Sequence, residues 1–267
     1  MMNNSPVSDE LTLIIDNIPI IVRIPNRKIH GLFLHLHALG QTKEQTKPIL
    51  DRICQKGFVA ISMDAWQHGE RSQETQEQLF TRIFATFYKN MWPILGLTAL
   101  DVSRVIDWGL AEFGSTLPVN ISGLSMGGDI AVTVAGLDTR ISNVFAIGST
   151  PDWKRPGMHD AMDAKKLLHP GKPDIYAQFF YNHLDPLTHL NQYEHAPQIN
   201  FISGELDNHI PIDGVIRFKE KLLIKYPNVG EKVSVTVLPS RWHMDLLNID
   251  VWWPTISELI DRIDKVE

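Results

Sequence analysis

Ten residues constrain this chain more than any others: Val119-Asn120-Ile121-Ser122-Gly123-Leu124-Ser125-Met126-Gly127-Gly128. The short run from Val119 to Ser122 has the β-branched character of a buried strand. An apolar helix follows, from Asp129 to Gly136, with its start at Met126. Strand, G-x-S-x-G and helix in that order are the context that makes the motif a nucleophile elbow. The glycines have a steric reason. A serine on so sharp a turn is strained, and side chains at Gly123 and Gly127 would collide with the neighbouring strand and helix. The turn lifts the Ser125 hydroxyl above the strand ends. The helix then points its unpaired N–H groups and positive dipole end at the same place.

The rest of the chain repeats the alternation. Leu11–Ile15 and Ile18–Ile24, joined by Asp16-Asn17, predict an N-terminal hairpin. Buried strands are expected at Gly31–Leu36, Phe58–Met63, Asn143–Gly148, Ile199–Ser203 and Val233–Leu238. Helices are expected at Thr46–Gln55, Glu74–Tyr88, Leu97–Phe113, Asp213–Tyr226 and Val251–Ile263, with Pro93 and Gly96 interrupting the helical pattern between the second and third. Such alternation predicts an α/β fold: a mostly parallel sheet with helices on both faces and chemistry at the carboxyl ends of the strands. The roughly fifty residues before Ile199 far exceed an ordinary connection. Residues 151–196 therefore read as a small helical cap inserted into one domain spanning 1–267.

The composition suits one large domain: 267 residues, 43% hydrophobic and 21% charged. A net charge of −6 argues against nucleic acid or an anionic membrane as main partner. The lone cysteine, Cys54, can form no internal disulfide. The N-terminus lacks a charged-then-apolar signal pattern, and the run Met91–Leu100 is too short to span a membrane. A cytoplasmic protein is expected. Its oligomeric state stays open, with a homodimer as one alternative.

A serine hydroxyl needs a base to take its proton and a third group to orient that base. After an elbow of this kind the expected chain order is serine, acid, histidine. Asp207, in Gly204-Glu205-Leu206-Asp207-Asn208-His209-Ile210-Pro211, is the favoured acid; Asp152, after the preceding strand, is the alternative. His243, just past the last strand, is the expected base, ahead of His68, His183, His189, His195 and His209. The oxyanion formed by serine attack needs backbone donors. Met126 N–H follows the nucleophile directly, and Leu39 N–H, in the loop after Gly31–Leu36, is the second candidate.

These pieces together resemble an α/β-hydrolase, and in particular the compact esterases grouped with dienelactone hydrolases and the catalytic domain of prolyl oligopeptidases. His37-Ala38-Leu39-Gly40 is similar to that family's H-G-x-G oxyanion loop, with Ala38 where the family has glycine. Asp64 to Arg71 resembles its D-x-x-x-H-G-x-R/S loop, which lines or braces the site. Gly123–Gly127 matches the elbow, Asp185-Pro186 the segment before the acid strand, Gly204–Pro211 the acid loop and His243 the late histidine. Ser125 stands where dienelactone hydrolases carry cysteine, which argues against that particular reaction.

The expectation is a serine esterase acting on a small-molecule carboxylic ester, without cofactor or metal. A thioesterase or acyltransferase with the same residues, or a catalytically silent binding module, are the alternatives. Trp66, His68 and Trp153 are the expected substrate-binding side chains.

Overall fold

A computed structural model describes residues 8–263. The first two strands, β1 (Ser8–Ile15) and β2 (Ile18–Pro25), form an antiparallel hairpin. Its turn residues Asp16 and Asn17 both have positive φ, 48° and 67°. That is the two-residue turn whose twist matches paired strands, and Asp and Asn tolerate it better than most side chains.

The chain then alternates: β3 (Gly31–Leu36), α1 (Lys47–Gln55), β4 (Phe58–Met63), α2 (Gln76–Ala85), α3 (Phe87–Phe113), β5 (Val119–Leu124), α4 (Met126–Leu137), β6 (Ile141–Ile147), α5 (Ile175–Leu184), β7 (Gln198–Gly204), α6 (Asp213–Lys225), α7 (Pro227–Gly230), β8 (Val233–Leu238) and α8 (Ile249–Ile263). The strands form one eight-stranded sheet in the order β1-β2-β4-β3-β5-β6-β7-β8. From β4 to β8 every pairing is parallel; the β2–β4 pairing is antiparallel.

Both faces are covered, and the pleat divides the core. Leu32, Leu34 and Leu36 of β3 join Val102, Val105 and Ile106 of α3 and Ile130 and Val134 of α4. Phe33, one residue out of phase, points to the other face, where it meets Leu50 and Ile53 of α1 and Trp252 and Ile256 of α8. Phe33 stacks on Phe145 of β6 with centroids 5.6 Å apart. This is why β3 and β4 are almost uninterruptedly apolar, as strands buried on both sides must be.

Two expectations need correction. The helix break falls at Thr86 (φ −153°, ψ 81°), and α3 continues through Pro93 and Gly96 without interruption. Gly96 is a packing residue: a Cβ there would lie 2.3 Å from the Phe180 ring of α5. The segment between β6 and β7 holds a single α-helix, α5, with two short 3-10 turns at Pro186–Thr188 and Leu190–Tyr193, rather than a set of helices. Its first part is extended and turn-rich, because Pro151, Pro156, Gly157, Pro170, Gly171 and Pro173 break up any helical run.

The strand order reverses direction between β3 and β5: β3 leads outward to β4, and β5 leads the other way to β6. Loops at the carboxyl ends of these two strands diverge and leave a crevice there. Ser125 follows directly on the carboxyl end of β5, at this point of reversal.

Candidate active site

Ser125 adopts φ 53° and ψ −116°, a conformation that costs a non-glycine residue of order 1–3 kcal/mol. The strain is held from both sides. Ser125 N–H donates to Ile147 O at 2.8 Å, and Ser125 O accepts from the N–H groups of Gly128 and Asp129 at 2.9 and 3.1 Å. The glycines are necessary for the turn to close. A Cβ on Gly123 would lie 2.1 Å from the Gly127 carbonyl carbon, and one on Gly127 would lie 2.2 Å from Leu36 O.

The strand ends bring together three side chains distant in sequence. Ser125 Oγ lies 3.1 Å from His243 Nε2. His243 Nδ1 lies 2.8 Å from Asp207 Oδ2. A carboxylate only accepts, so Nδ1 carries the proton and Nε2 presents a lone pair to the serine hydroxyl. His243 opens the 3-10 turn His243–Leu247 that follows β8. Asp207 lies in the turn after β7, with its other oxygen, Oδ1, accepting from the N–H groups of His209 and Ile210 at 3.0 and 2.9 Å. Backbone donors fix the carboxylate, and the carboxylate fixes the ring. The two loops are packed together, since Leu206 N–H donates to Arg241 O at 2.8 Å and a Cβ on Gly204 would lie 2.4 Å from that same oxygen. The alternative acid, Asp152, is turned elsewhere; it accepts from Lys154 N–H at 3.0 Å and Arg217 Nη2 at 2.7 Å.

Met126 is the first residue of α4, so its N–H has no acceptor within its own helix. The close approach of Gly127 to Leu36 and His37 sets the loop after β3 against the elbow. That loop is braced by His37, whose Nδ1 donates to Ala38 O at 2.9 Å while its Nε2 accepts from Ala65 N–H at 3.1 Å. Burial holds the His37 pKa down to about 4, so the ring stays neutral. Ala38 N–H donates to Gln41 Oε1 at 3.1 Å, and none of these bonds uses the Leu39 N–H. Ala38 is not among the positive-φ residues, whereas Gly40 has φ 75°. Alanine in place of the family's glycine therefore costs this loop no backbone strain.

The loop after β4 braces rather than lines. Asp64 is fully buried and accepts from Lys43 N–H, Lys43 Nζ and Glu70 N–H at 2.9, 2.9 and 3.0 Å. Arg71 donates to Asp64 O at 3.2 Å and to Asp101 at 2.7 Å. His68 is buried too, its Nδ1 bonded to Trp66 O at 2.9 Å, and desolvation lowers its pKa to about 4. Of the expected substrate-binding residues only Trp66 keeps substantial surface, 37%, beneath the Arg71 guanidinium. Trp153 is a correction: it is fully buried in the core and offers no surface to a bound molecule. Its carbonyl accepts from Trp92 Nε1 at 3.0 Å and its N–H donates to Asp185 at 2.8 Å.

Three features at the site were not anticipated. Asp129, in the first turn of α4, is fully buried, paired with Arg155, and accepts from Thr150 N–H at 2.8 Å. Burial pushes its pKa up to about 6 against the lowering effect of Arg155. An aspartate inside an otherwise apolar helix was the available signal. His209 packs against His243 with ring centroids 4.7 Å apart, and burial first, then the neighbouring His243 ring, takes its pKa to about 3. Lys43 is fully buried, and nothing local in the sequence marks it. Among the described residues no group of three or more His, Cys, Asp or Glu side chains could hold a metal ion, and no helix is long and apolar enough to cross a membrane.

No protein-family model and no curated relative matches the chain. Solved structures do. TT1662 from Thermus thermophilus is similar at TM-score 0.66 and 19% identity, over 93% of this chain and 97% of that one. The Pyrococcus furiosus esterase Pf2001 is similar at TM-score 0.65 and 16% identity, over 96% and 92%. A putative dienelactone hydrolase from Klebsiella pneumoniae is similar at TM-score 0.63 and 16% identity, over 95% and 98%. With its strand order, its helices on both faces and its serine elbow after β5, the chain has the α/β-hydrolase fold.

Proposed function

We propose that the protein is a serine hydrolase that cleaves carboxylic esters of small molecules through an acyl-enzyme. The observation that carries the reading is the continuous path from Ser125 Oγ through His243 Nε2 and Nδ1 to Asp207 Oδ2. Ser125 Oγ attacks the ester carbonyl as His243 Nε2 takes its proton. The negative oxygen is received by the N–H groups of Met126 and Leu39. Collapse expels the alcohol, which leaves with the proton from His243. Water, deprotonated by the same ring, then attacks the acyl-serine, and the acid departs as Ser125 regains its proton. Asp207 keeps the ring oriented and balances the imidazolium. The reaction uses no cofactor. The esterase and putative dienelactone hydrolase among the similar structures are in keeping with this chemistry.

Stopped-flow hydrolysis of p-nitrophenyl esters tests it. A burst of one nitrophenol per chain followed by slower turnover is expected, with both phases absent in Ser125→Ala. Equal rates for the two proteins would remove the proposal.

A further inference from the structure

The chain leaving β6 forms a strap fixed on both flanks of the site. At its base, Arg155 is buried and paired with Asp129, four residues after Ser125 in the elbow helix. Tyr88 of α3 holds both ends: its hydroxyl donates to Lys154 O at 2.6 Å and its N–H to Pro170 O at 3.1 Å. Between these points residues 158–168 fold back on themselves. His159 bridges Leu167, Asp160 N–H donates to Lys166 O at 2.8 Å, and Leu168 N–H donates to Met158 O at 2.9 Å. The strap meets the acid loop at His159. Its N–H donates to Asn208 O at 2.9 Å, and its carbonyl accepts from His209 Nδ1 at 2.7 Å.

We propose that His209 is a positioning residue that latches this strap to the acid loop beside His243, and that release of the latch sets how large an ester can reach Ser125. The second half of the proposal rests on the ester-hydrolase reading above. One anchor of the strap is on the nucleophile's helix and the other on the acid's loop, so it spans the two sides of the catalytic group. Ser125 and His243 are only 8% and 7% exposed, which leaves little room for a bulky acyl or alcohol group unless something moves. The strap is the part able to move: residues 162–167 are exposed, Met162 to 73%, and the hydrogen bonds of Met162, Lys165 and Lys166 run to Asp160 and Asp163 within the strap itself. The latch is also local to the chemistry. The His209 ring packs on His243, yet Asp207 is oriented by the backbone N–H groups of residues 209 and 210, which survive any change of the His209 side chain. A carbonyl oxygen only accepts, so the latch requires the proton on Nδ1.

Two variants of the full chain separate donor from ring. His209→Phe keeps a ring against His243 and loses the donor; His209→Asn restores a donor near the Nδ1 position. Trypsin cleavage after the exposed Lys165 and Lys166 reports strap opening without any ester chemistry. Cleavage about fivefold faster is expected in His209→Phe, the population change given by one lost hydrogen bond, with His209→Asn close to wild type. The kcat/KM ratio of p-nitrophenyl decanoate to p-nitrophenyl acetate should rise in His209→Phe and return in His209→Asn. Unchanged cleavage and an unchanged ratio, or a uniform loss of kcat on both esters, overturns the latch. Wild type inert on both esters removes the esterase reading and leaves trypsin to judge the latch. If His209→Phe does not fold, imidazole nitrogen NMR of the wild type decides: the Nδ1–H tautomer at His209 supports the latch, and the Nε2–H tautomer overturns it.

Discussion

At the scale of single residues the site is a matter of which groups are left without choice. Ser125 is held at φ 53° by three backbone hydrogen bonds, and Asp207 is held by two backbone donors on one oxygen while the other faces His243. Replacing Asp207 with asparagine keeps the shape but removes the charge and favours the wrong His243 tautomer. The expected outcome is a fall in kcat on p-nitrophenyl acetate of about 10⁴-fold, the size seen for this change in serine proteases. Asp152→Asn, which loses only contacts to Lys154 and Arg217, should stay within about threefold of wild type on the same assay, the order of effect expected away from the chemistry. The reverse pattern would make Asp152 the acid. That Ser125, Asp207 and His243 lie together is legible in the sequence, because motif order and strand ends confine them. His209, Asp129 with Arg155, and Lys43 were not, because what sets them apart is burial and partners on other elements. Trp153, buried in the core, departs from expectation for the same reason: an aromatic in a long connection looks the same in sequence whether it lines a pocket or fills a core.

At the scale of elements the decisive contact is between the elbow and β3. Gly127 lets α4 start against the Leu36 and His37 carbonyls, and that approach sets the loop after β3 against the elbow. Gly127→Ala puts a Cβ 2.2 Å from Leu36 O, where backbone must shift. The variant should lose about 1–3 kcal/mol in urea unfolding, as overpacked cores do, and with it the turnover of p-nitrophenyl acetate expected of the wild type. Wild-type stability and turnover in that variant would show that the close approach does not position the loop. Strands were readable from their apolar runs, since β3 to β7 are covered on both faces. The α2–α3 boundary was not. Pro93 and Gly96 are the usual breakers, but Gly96 is there to admit Phe180, while the break itself falls at Thr86, which carries no such mark.

At the scale of the whole molecule, folding gathers neutral histidines into the interior. His35, His37, His68 and His209 have pKa values taken by burial to about 3, 4, 4 and 3, below their ordinary value of 6.5. Below pH 6.5 the unfolded chain therefore binds more protons than the folded one. Stability is fully present above that pH and is lost as the pH falls toward 4, with each histidine adding a slope approaching about 1.4 kcal/mol per pH unit. Urea midpoints should drop sharply between pH 7.5 and pH 5.5; equal midpoints would mean these rings are protonated in the folded protein. The same folding carries the central claim, that the sheet unites Ser125, His243 and Asp207 so that one serine hydroxyl becomes reactive. A fluorophosphonate probe with peptide mass mapping measures this most directly. One adduct per chain is expected, on Ser125 and lost in His243→Ala; an unlabelled Ser125, or an adduct that forms equally fast without His243, would mean that no such activated hydroxyl exists.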